Sequence, residues 1–110
     1  MDVERINFLM DFYGPLLTEL QVEIMTQYLD DGLTYSEIAD NLSSTRQAVY
    51  DNINRSISKL ESFEEKLGLF KRFKDDRVKL QYIYDSLKEL LKDKPEALAL
   101  ISKELEEILY

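Results

Sequence analysis

Residues 33–60 read LTYSEIADNLSSTRQAVYDNINRSISKL, and this stretch has the spacing of a helix-turn-helix motif. Its first helix is predicted to begin after Thr34, which can form a capping box with Glu37. Two helices that cross at a steep angle need a small residue at their contact, and Ala39 occupies that position. The inner face of the two helices is predicted to consist of Ile38, Leu42, Val49 and Ile53.

The residues before the motif predict two more helices. A helix over residues 3–12 would end at Gly14-Pro15, because proline cannot continue a helix and restricts the residue before it. The next helix would begin after Thr18, whose side chain can form a capping box with Gln21. The apolar spacing of this second helix predicts that it buries Leu20, Ile24 and Tyr28.

The second helix of the motif is predicted to be long. It would begin after Ser44, which can form a capping box with Gln47, and its apolar pattern continues as far as Gly68. A fifth helix over residues 71–91 and a sixth after Pro95 would follow. The chain has only three Gly and two Pro, and apolar residues recur at spacings of three and four. The sequence therefore predicts an all-α fold of about six helices.

The predicted helices suggest a division of the chain and a mode of assembly. We expect residues 1–70 to form a helix-turn-helix domain, and residues 71–110 to form a C-terminal helical arm that packs on it or on a dimer partner. The apolar ridge of the long helix, from Ile53 to Leu67, has more apolar surface than a three-helix domain of this size should bury by itself. The ridge could therefore be a dimer interface. The alternative is that the last two helices cover the ridge within one chain. We expect a homodimer in which the C-terminal helices help to form the interface.

The charge balance restricts the nucleic acids that such a fold could bind. The formal net charge of −8 repels a polyanion at long range and argues against a general DNA-binding protein. The charges are unevenly distributed, however. Residues 1–34 carry seven acidic side chains and one basic side chain, whereas residues 71–94 carry eight basic and five acidic ones. Any nucleic acid would therefore have to meet a local basic surface.

The outward face of the motif's second helix carries side chains suited to nucleic acid. Arg, Gln and Asn can hydrogen-bond to base edges, and two further cations, Arg55 and Lys59, could reach phosphates. Asp51 points toward the same supposed groove, where its carboxylate would repel phosphate. The alternative is that Arg46 and Gln47 are a helix cap and a solvated side chain on a surface helix. The candidate base-contacting residues are Thr45, Arg46, Gln47, Tyr50 and Asn54.

A second candidate patch lies at the start of the fifth helix, where Phe70 and Phe73 are interleaved with cations. The patch could hold a phosphate backbone while an aromatic ring stacks on an unpaired base. We favour the alternative that both Phe side chains pack inward and the charges are solvated, because Asp75 and Asp76 reduce the net positive charge of the patch. The basic residues of this patch are Lys71, Arg72, Lys74, Arg77 and Lys79.

Other function classes are disfavoured by residue types that the chain lacks. It has neither Cys nor His, so the usual ligands of transition metals and a His base for nucleophilic catalysis are missing. No Gly-rich strand-to-helix turn indicates a nucleotide pocket. The longest apolar run is too short to span a bilayer, and the N-terminal residues are acidic where a signal peptide is basic. We therefore expect a cytoplasmic, non-enzymatic protein without cofactor, metal or membrane insertion.

The octapeptide RQAVYDNI at residues 46–53 resembles the YlxM family, and the wider helical pattern resembles region four of bacterial sigma factors. The opening is similar to the start of the same family, with RIN at residues 5–7 and DFYGPLLT at residues 11–18. The resemblance covers roughly residues 5–70 and is more specific than a helix-turn-helix pattern alone. Beyond that range it rests mainly on helical composition.

The resemblance implies a function as well as a fold. The YlxM family consists of small helical proteins regarded as DNA-binding and encoded beside the gene of the signal recognition particle GTPase in Gram-positive bacteria. It implies an accessory or regulatory role in the signal recognition particle pathway, with DNA or the particle's RNA as ligand and the GTPase as a candidate partner. Ser43 and Ser44 depart from the motif, which commonly has Gly and an apolar residue there. The competing hypotheses are a sequence-specific transcription regulator, and a protein adaptor that meets a basic partner with its acidic N-terminal surface.

Overall fold

The structure, a computed structural model, describes residues 2–110. Within that range it contains six α-helices and no β-strand, which confirms the predicted all-α fold. A short 3-10 turn, Gly14–Leu16, separates the first two helices at the predicted proline break. None of the helices in the described range has the length and apolar composition that crossing a bilayer requires. The helices are α1 (Val3–Tyr13), α2 (Glu19–Leu29), α3 (Tyr35–Asn41), α4 (Arg46–Leu67), α5 (Leu69–Leu90) and α6 (Pro95–Leu109).

Side-chain caps determine where α2 and α3 begin. The hydroxyl of Thr18 accepts a hydrogen bond from the backbone N–H of Gln21, and the hydroxyl of Thr34 accepts one from the N–H of Glu37. In return, the Gln21 and Glu37 side chains accept from the backbone N–H groups of the two threonines. Both predicted capping boxes are therefore confirmed. They satisfy backbone donors that a helix start would otherwise leave unpaired.

The start of α4 differs from the prediction by one residue. Thr45 is the N-cap, and its side chain accepts a hydrogen bond from the N–H of Ala48 at 3.1 Å. The predicted capping box between Ser44 and Gln47 is therefore wrong. The Ser44 N–H instead donates to the carbonyl of Ala39 at 2.9 Å and closes the end of α3. The extended residue that must precede a helix consequently falls at position 45.

Helix α4 is the centre of the N-terminal helices, because α1, α2 and α3 all pack against it. The predicted inner face of the motif is confirmed except for Leu42, which is only half-buried. The apolar ridge of α4 is mostly covered from within the same chain, since Ile53 and Leu60 are buried and only Leu67 is strongly exposed. The buried apolar side chains of this region include Ile6, Leu9, Tyr13, Ile24, Met25, Ile38, Ala39, Val49, Ile53 and Leu60.

The buried face of α2 is rotated relative to the prediction. Leu20 is 51% exposed, so its predicted burial is wrong, whereas Gln21, Ile24 and Met25 are buried. At about 100° per residue, Leu20 lies about 90° from the centre of the face that these three residues form. Tyr28 is half-buried at the end of the same helix.

A buried carboxylate connects α1, α4 and the start of α5. The Tyr13 hydroxyl donates to Glu64 Oε1 at 2.6 Å, and the same oxygen accepts the backbone N–H of Phe70 at 3.0 Å. The Tyr13 hydroxyl also accepts the N–H of Leu69 at 3.0 Å. Burial and the bond to the carboxylate raise the pKa of Tyr13 above its usual value. We call Tyr13, Glu64 and the two N–H groups the Glu64 clamp. The two N–H groups directly follow Gly68, which ends α4 in the left-handed conformation at φ 63°.

A second set of contacts between α1 and α4 lies beside the Glu64 clamp. Arg5 donates two hydrogen bonds to Glu61, at 2.9 and 2.7 Å, and this guanidinium lowers the pKa of Glu61 below its usual value. The Arg5 guanidinium also lies 5.7 Å from the ring centre of Phe70, which stacks on Phe8 at 4.9 Å. These contacts explain why Phe70 is buried.

The chain divides into two compact units, one that ends at Phe70 and one that runs from Lys71 to Tyr110. In the second unit α6 folds back along α5. The Tyr84 hydroxyl on α5 donates to Glu106 Oε1 on α6 at 2.6 Å, and Tyr84 and Leu109 are the most deeply buried apolar residues of the unit. This unit has a small interior, because a pair of helices buries little apolar surface.

Candidate nucleic-acid interface

Helix α4 begins directly after the loop that follows α3, and its first turns carry predicted base-contacting side chains on an exposed side. Arg46, Tyr50 and Asn54 follow one another at intervals of four residues and therefore lie along one side of the helix. Gln47 lies beside them, and all four side chains are exposed. The buried Val49 and Ile53 lie about 100° and 60° from Tyr50 around α4, on the adjoining side that packs inward. The structure thus places these four predicted side chains together on the outer surface of the helix-turn-helix.

Three tyrosines from three different helices form a row beside Arg46. The ring centre of Tyr35 on α3 lies 5.5 Å from that of Tyr28 on α2 and 5.8 Å from that of Tyr50 on α4. The second pair meets edge to face, with an angle of 67° between the ring planes. The pKa of Tyr35 is raised above its usual value, mainly by the hydrogen bond with the Tyr28 side chain and secondly by partial burial. Such aromatic contacts hold the three rings in defined orientations.

Two adjoining surface hollows, of about 520 and 480 Å³, open along this row. Tyr35 and Arg46 line both hollows. The first hollow extends toward Tyr28, and the second extends toward Gln47 and Tyr50. Among the described residues Arg46 has no ion-pair partner. We call the two hollows together with Tyr28, Tyr35, Arg46 and Tyr50 the tyrosine groove.

Two of the predicted base-contacting residues already have partners within α4. The Thr45 hydroxyl accepts the N–H of Ala48 as the helix cap. The Gln47 amide Nε2 donates to Asp51 Oδ1 at 3.0 Å. A base edge would therefore have to compete with these bonds for the same polar atoms.

Arg55 and Lys59, the two cations predicted to reach phosphates, do not lie beside Arg46. At about 100° per residue, Arg55 is about 180° from Arg46 around α4, and Lys59 is about 140° away. The Lys59 ammonium lies instead on the side of α2, where it donates to Gln21 Oε1 at 3.4 Å. These two cations therefore lie on other sides of α4 than the side that carries Arg46 and Tyr50.

Arg77 has a structural position within the second candidate patch. Its guanidinium donates to the backbone carbonyls of Ile108 and Leu109, and it lies 5.2 Å from the ring centre of Phe73. The carbonyls at the end of α6 have no helical partners of their own, so Arg77 satisfies them as a C-terminal cap. This guanidinium is therefore already engaged within the helix pair, and the prediction that it contacts phosphate is not supported by its position.

The remaining residues of the second patch are more exposed but are mixed with acids. Arg72 forms an ion pair with Asp76 at 3.8 Å, and both side chains are exposed. Lys71 and Lys74 are also exposed. Phe70 is buried, as the alternative preferred from the sequence has it, so it offers no ring to a base. The tyrosine groove is consequently the better-formed aromatic and cationic surface.

Comparison with known proteins gives relatives along most of the chain. A family model described as "Putative helix-turn-helix protein, YlxM / p13 like" matches residues 2–103. A UPF0122 protein of Bacillus licheniformis is 44% identical over 97 residues, which cover 88% of this chain and 87% of the relative. The UPF0122 protein YlxM of Bacillus subtilis is 43% identical over 100 residues, with coverage of 88% and 87%.

A third relative has a similar degree of identity. A UPF0122 protein of Bacillus pumilus is 46% identical over 89 residues, which cover 81% of this chain and 77% of the relative. The family match extends beyond the helix-turn-helix into α6, so the resemblance first seen over residues 5–70 includes the C-terminal helices. The chain therefore belongs to the UPF0122 family of YlxM / p13-like helix-turn-helix proteins.

Proposed function

We propose that this protein is a non-enzymatic regulatory protein that binds nucleic acid with the outer face of its helix-turn-helix. The observation that carries the proposal is the placement of Arg46, Tyr50 and Asn54 along one exposed side of α4, with Tyr35 of α3 next to them. These side chains combine a cation for phosphate, an amide for base edges and aromatic rings for stacking. Membership of a helix-turn-helix family supports the same interface.

The proposal includes a cytoplasmic role in the signal recognition particle pathway, which the resemblance to the YlxM family implies. The net charge of −8 repels RNA and DNA alike, so it does not choose between them. The resemblance to the family makes the particle's RNA our leading ligand and its GTPase our leading protein partner. A transcription regulator and a pure protein adaptor are the competing outcomes of the test below.

The test compares binding of three fluorescein-labelled probes by fluorescence anisotropy at several salt concentrations. The probes are signal recognition particle RNA, random duplex DNA and the duplex upstream of the protein's own gene. The variant is Arg46→Ala with Gln47→Ala, and the control is Lys66→Ala, which removes one exposed cation from the far end of the same helix. We expect binding that weakens with salt, a loss of at least about tenfold in the double variant and little change in the control.

Each outcome of this test identifies one of the three hypotheses. Preference for the particle's RNA supports the pathway role, and preference for the upstream duplex supports a transcription regulator. If the folded wild-type protein binds none of the probes, the proposal is wrong and the helix-turn-helix serves as a scaffold for protein contacts. Equal binding by the wild type and the double variant would place the interface elsewhere on the molecule.

We also propose that the protein is a homodimer that associates through the second unit. Most of the α4 ridge is used within the chain, so it is no longer a candidate dimer interface. In the second unit, by contrast, Val78 and Tyr82 lie one turn apart on α5 and are 72% and 74% exposed. A helix pair with so small an interior gains stability if a second copy covers this exposed apolar surface.

A further inference from the structure

We propose that the tyrosine groove binds two consecutive unpaired nucleotides of a single strand, with Arg46 at the phosphate that links them. This inference rests on the proposed nucleic-acid function and names the class of nucleic acid that the interface selects. The ligand would be a single-stranded or looped segment, and neither its sugar nor a particular base sequence is required.

The aromatic rings supply the first part of the argument. Tyr50 is 45% exposed, and Tyr35 and Tyr28 are each partly exposed in a continuous row. Single-strand-binding proteins commonly hold successive bases on aromatic side chains in this way, because every base has a planar face. Contacts between the rings at 5.5 and 5.8 Å hold them in place before any ligand arrives, so binding would require little ordering of side chains.

The shape of the groove supplies the second part. The two hollows, of about 520 and 480 Å³, are open depressions on the protein surface, which suits a strand that remains partly in water. Tyr35 and Arg46 separate them, since both residues line both hollows. One base in each hollow would therefore place the linking phosphodiester next to the boundary that these two side chains form.

The charge at that boundary complements a phosphate. Arg46 is exposed and has no ion-pair partner among the described residues, so its guanidinium can donate two hydrogen bonds to phosphate oxygens. Few other groups compete for this role, because Arg55 and Lys59 lie on other sides of α4. A short anionic strand that needs only one or a few cations fits this surface better than a long polyanion does.

The outer face of α4 is less suited to the major groove of a duplex. Gln47 donates its amide hydrogen to Asp51, and the Asp51 carboxylate would face the phosphates of a docked duplex. In a duplex, moreover, the faces of the bases are covered by their neighbours and cannot stack on tyrosine rings. The tyrosine groove therefore favours bases that are already unpaired.

The experiment compares single-stranded and paired probes of equal length. The probes are a fluorescein-labelled RNA of ten nucleotides without self-complementarity, the DNA of the same sequence, and the fully paired duplex of each, measured by anisotropy. The proteins are the wild type, Arg46→Ala, Tyr50→Leu and Tyr50→Phe, with Lys66→Ala as the matched charge control. Circular dichroism and thermal unfolding establish that each variant is folded. A parallel titration uses strands with 2-aminopurine at one position, whose fluorescence is quenched when the base stacks.

We expect both single strands to bind more tightly than their duplexes and to quench the 2-aminopurine signal. Tyr50→Leu should weaken single-strand binding about tenfold or more, as loss of one stacking partner does, and Arg46→Ala should weaken it similarly. Tyr50→Phe should stay within about twofold of the wild type, because it keeps the ring. Lys66→Ala should bind as the wild type does.

Two results would overturn the inference while leaving nucleic-acid binding intact. One is stronger binding to the duplexes, with no quenching of 2-aminopurine by the wild type. The other is single-strand binding that Tyr50→Leu and Arg46→Ala leave unchanged. Absence of binding to every probe, including the longer RNA and DNA used to test the proposed function, would instead refute that function and this inference with it.

Discussion

Ser43 shows how a single residue can strain the turn of the helix-turn-helix. Its φ of 52° is the only positive value at a non-glycine position in the described chain. A left-handed backbone costs an L-residue about 1–2 kcal/mol, because its Cβ approaches the following carbonyl oxygen. The sequence already indicated an unusual turn, since Gly is common at this position, but the strain itself is visible only in the backbone angle. The N–H of Ser43 bonds weakly to Asp40 at 3.4 Å, which offsets little of this cost.

We predict that Ser43→Gly stabilises the folded state by about 0.5–1 kcal/mol. Relief of about 1–2 kcal/mol of strain is partly offset by the extra freedom that Gly has in the unfolded chain, about 0.5–1 kcal/mol. Urea unfolding followed by circular dichroism should show a higher midpoint. Ser44→Gly is the matched control and should lower the midpoint, because Ser44 has no positive φ. A Ser43→Gly variant no more stable than the wild type would show that the strain is not released.

At the scale of the helices, the Glu64 clamp links α1, α4 and the start of α5 through one buried carboxylate. Helix α4 ends at Leu67 and α5 begins at Leu69, so a single glycine separates two helices of 22 residues each. Glu64 reaches past this junction to the N–H of Phe70 while its oxygen also accepts from Tyr13 on α1. One carboxylate therefore satisfies polar groups of three helices in a buried environment, where unpaired groups are costly.

We predict that Glu64→Leu destabilises the N-terminal unit by about 2–4 kcal/mol. The substitution leaves the Tyr13 hydroxyl and the Phe70 N–H without their acceptor, and a buried unsatisfied group costs about 1–3 kcal/mol. Urea unfolding measures the loss. The neighbouring Glu65→Leu is the control, because Glu65 is exposed and surface changes usually stay within about 0.5 kcal/mol. Equal stability of the two variants would show that the Glu64 clamp contributes little.

At the scale of the whole molecule, acidic and basic residues are concentrated in different parts of the chain. Residues 1–34 are strongly acidic, whereas residues 71–94 have a basic excess. Two members of the basic excess already have partners within the unit, since Arg77 caps α6 and Arg72 pairs with Asp76. The second unit instead exposes apolar side chains on α5 and α6, including Val78, Tyr82 and Leu100. Its surface is therefore better suited to a protein contact than to a polyanion.

We predict that Val78→Glu combined with Tyr82→Glu converts the proposed dimer into a monomer. The change introduces two charges into apolar surface that association would remove from water. Sedimentation equilibrium of the wild type and the variant measures the mass of each. Leu20→Glu is the control, because Leu20 is similarly apolar and exposed but lies on α2 in the first unit. A wild type that stays monomeric at high micromolar concentration would refute the dimer, and a control that also dissociates would place the dimer interface elsewhere.

Much of the helical architecture was predictable from the sequence because its determinants are local. Capping boxes at Thr18 and Thr34, the proline after Gly14 and the left-handed Gly68 act within a few residues of the chain. Apolar spacing also identified most of the motif's inner face. Where local signals compete, as at Ser44 and Thr45, the sequence pattern chose the wrong cap. The N–H of Ser44 donates to a carbonyl of the preceding helix, so Thr45 becomes the cap of α4.

The candidate site was only partly predictable, since its parts come from distant positions. The sequence by itself determined that Arg46, Gln47, Tyr50 and Asn54 share an exposed helix face, because helical periodicity is a local property. Only the tertiary structure brought Tyr28 and Tyr35 to Tyr50 and turned Arg77 toward the end of α6. The physical reason is that the packing of α2 and α3 on α4, and of α6 on α5, sets which side chains meet. That packing depends on the shape of whole buried faces and not on any one stretch of sequence.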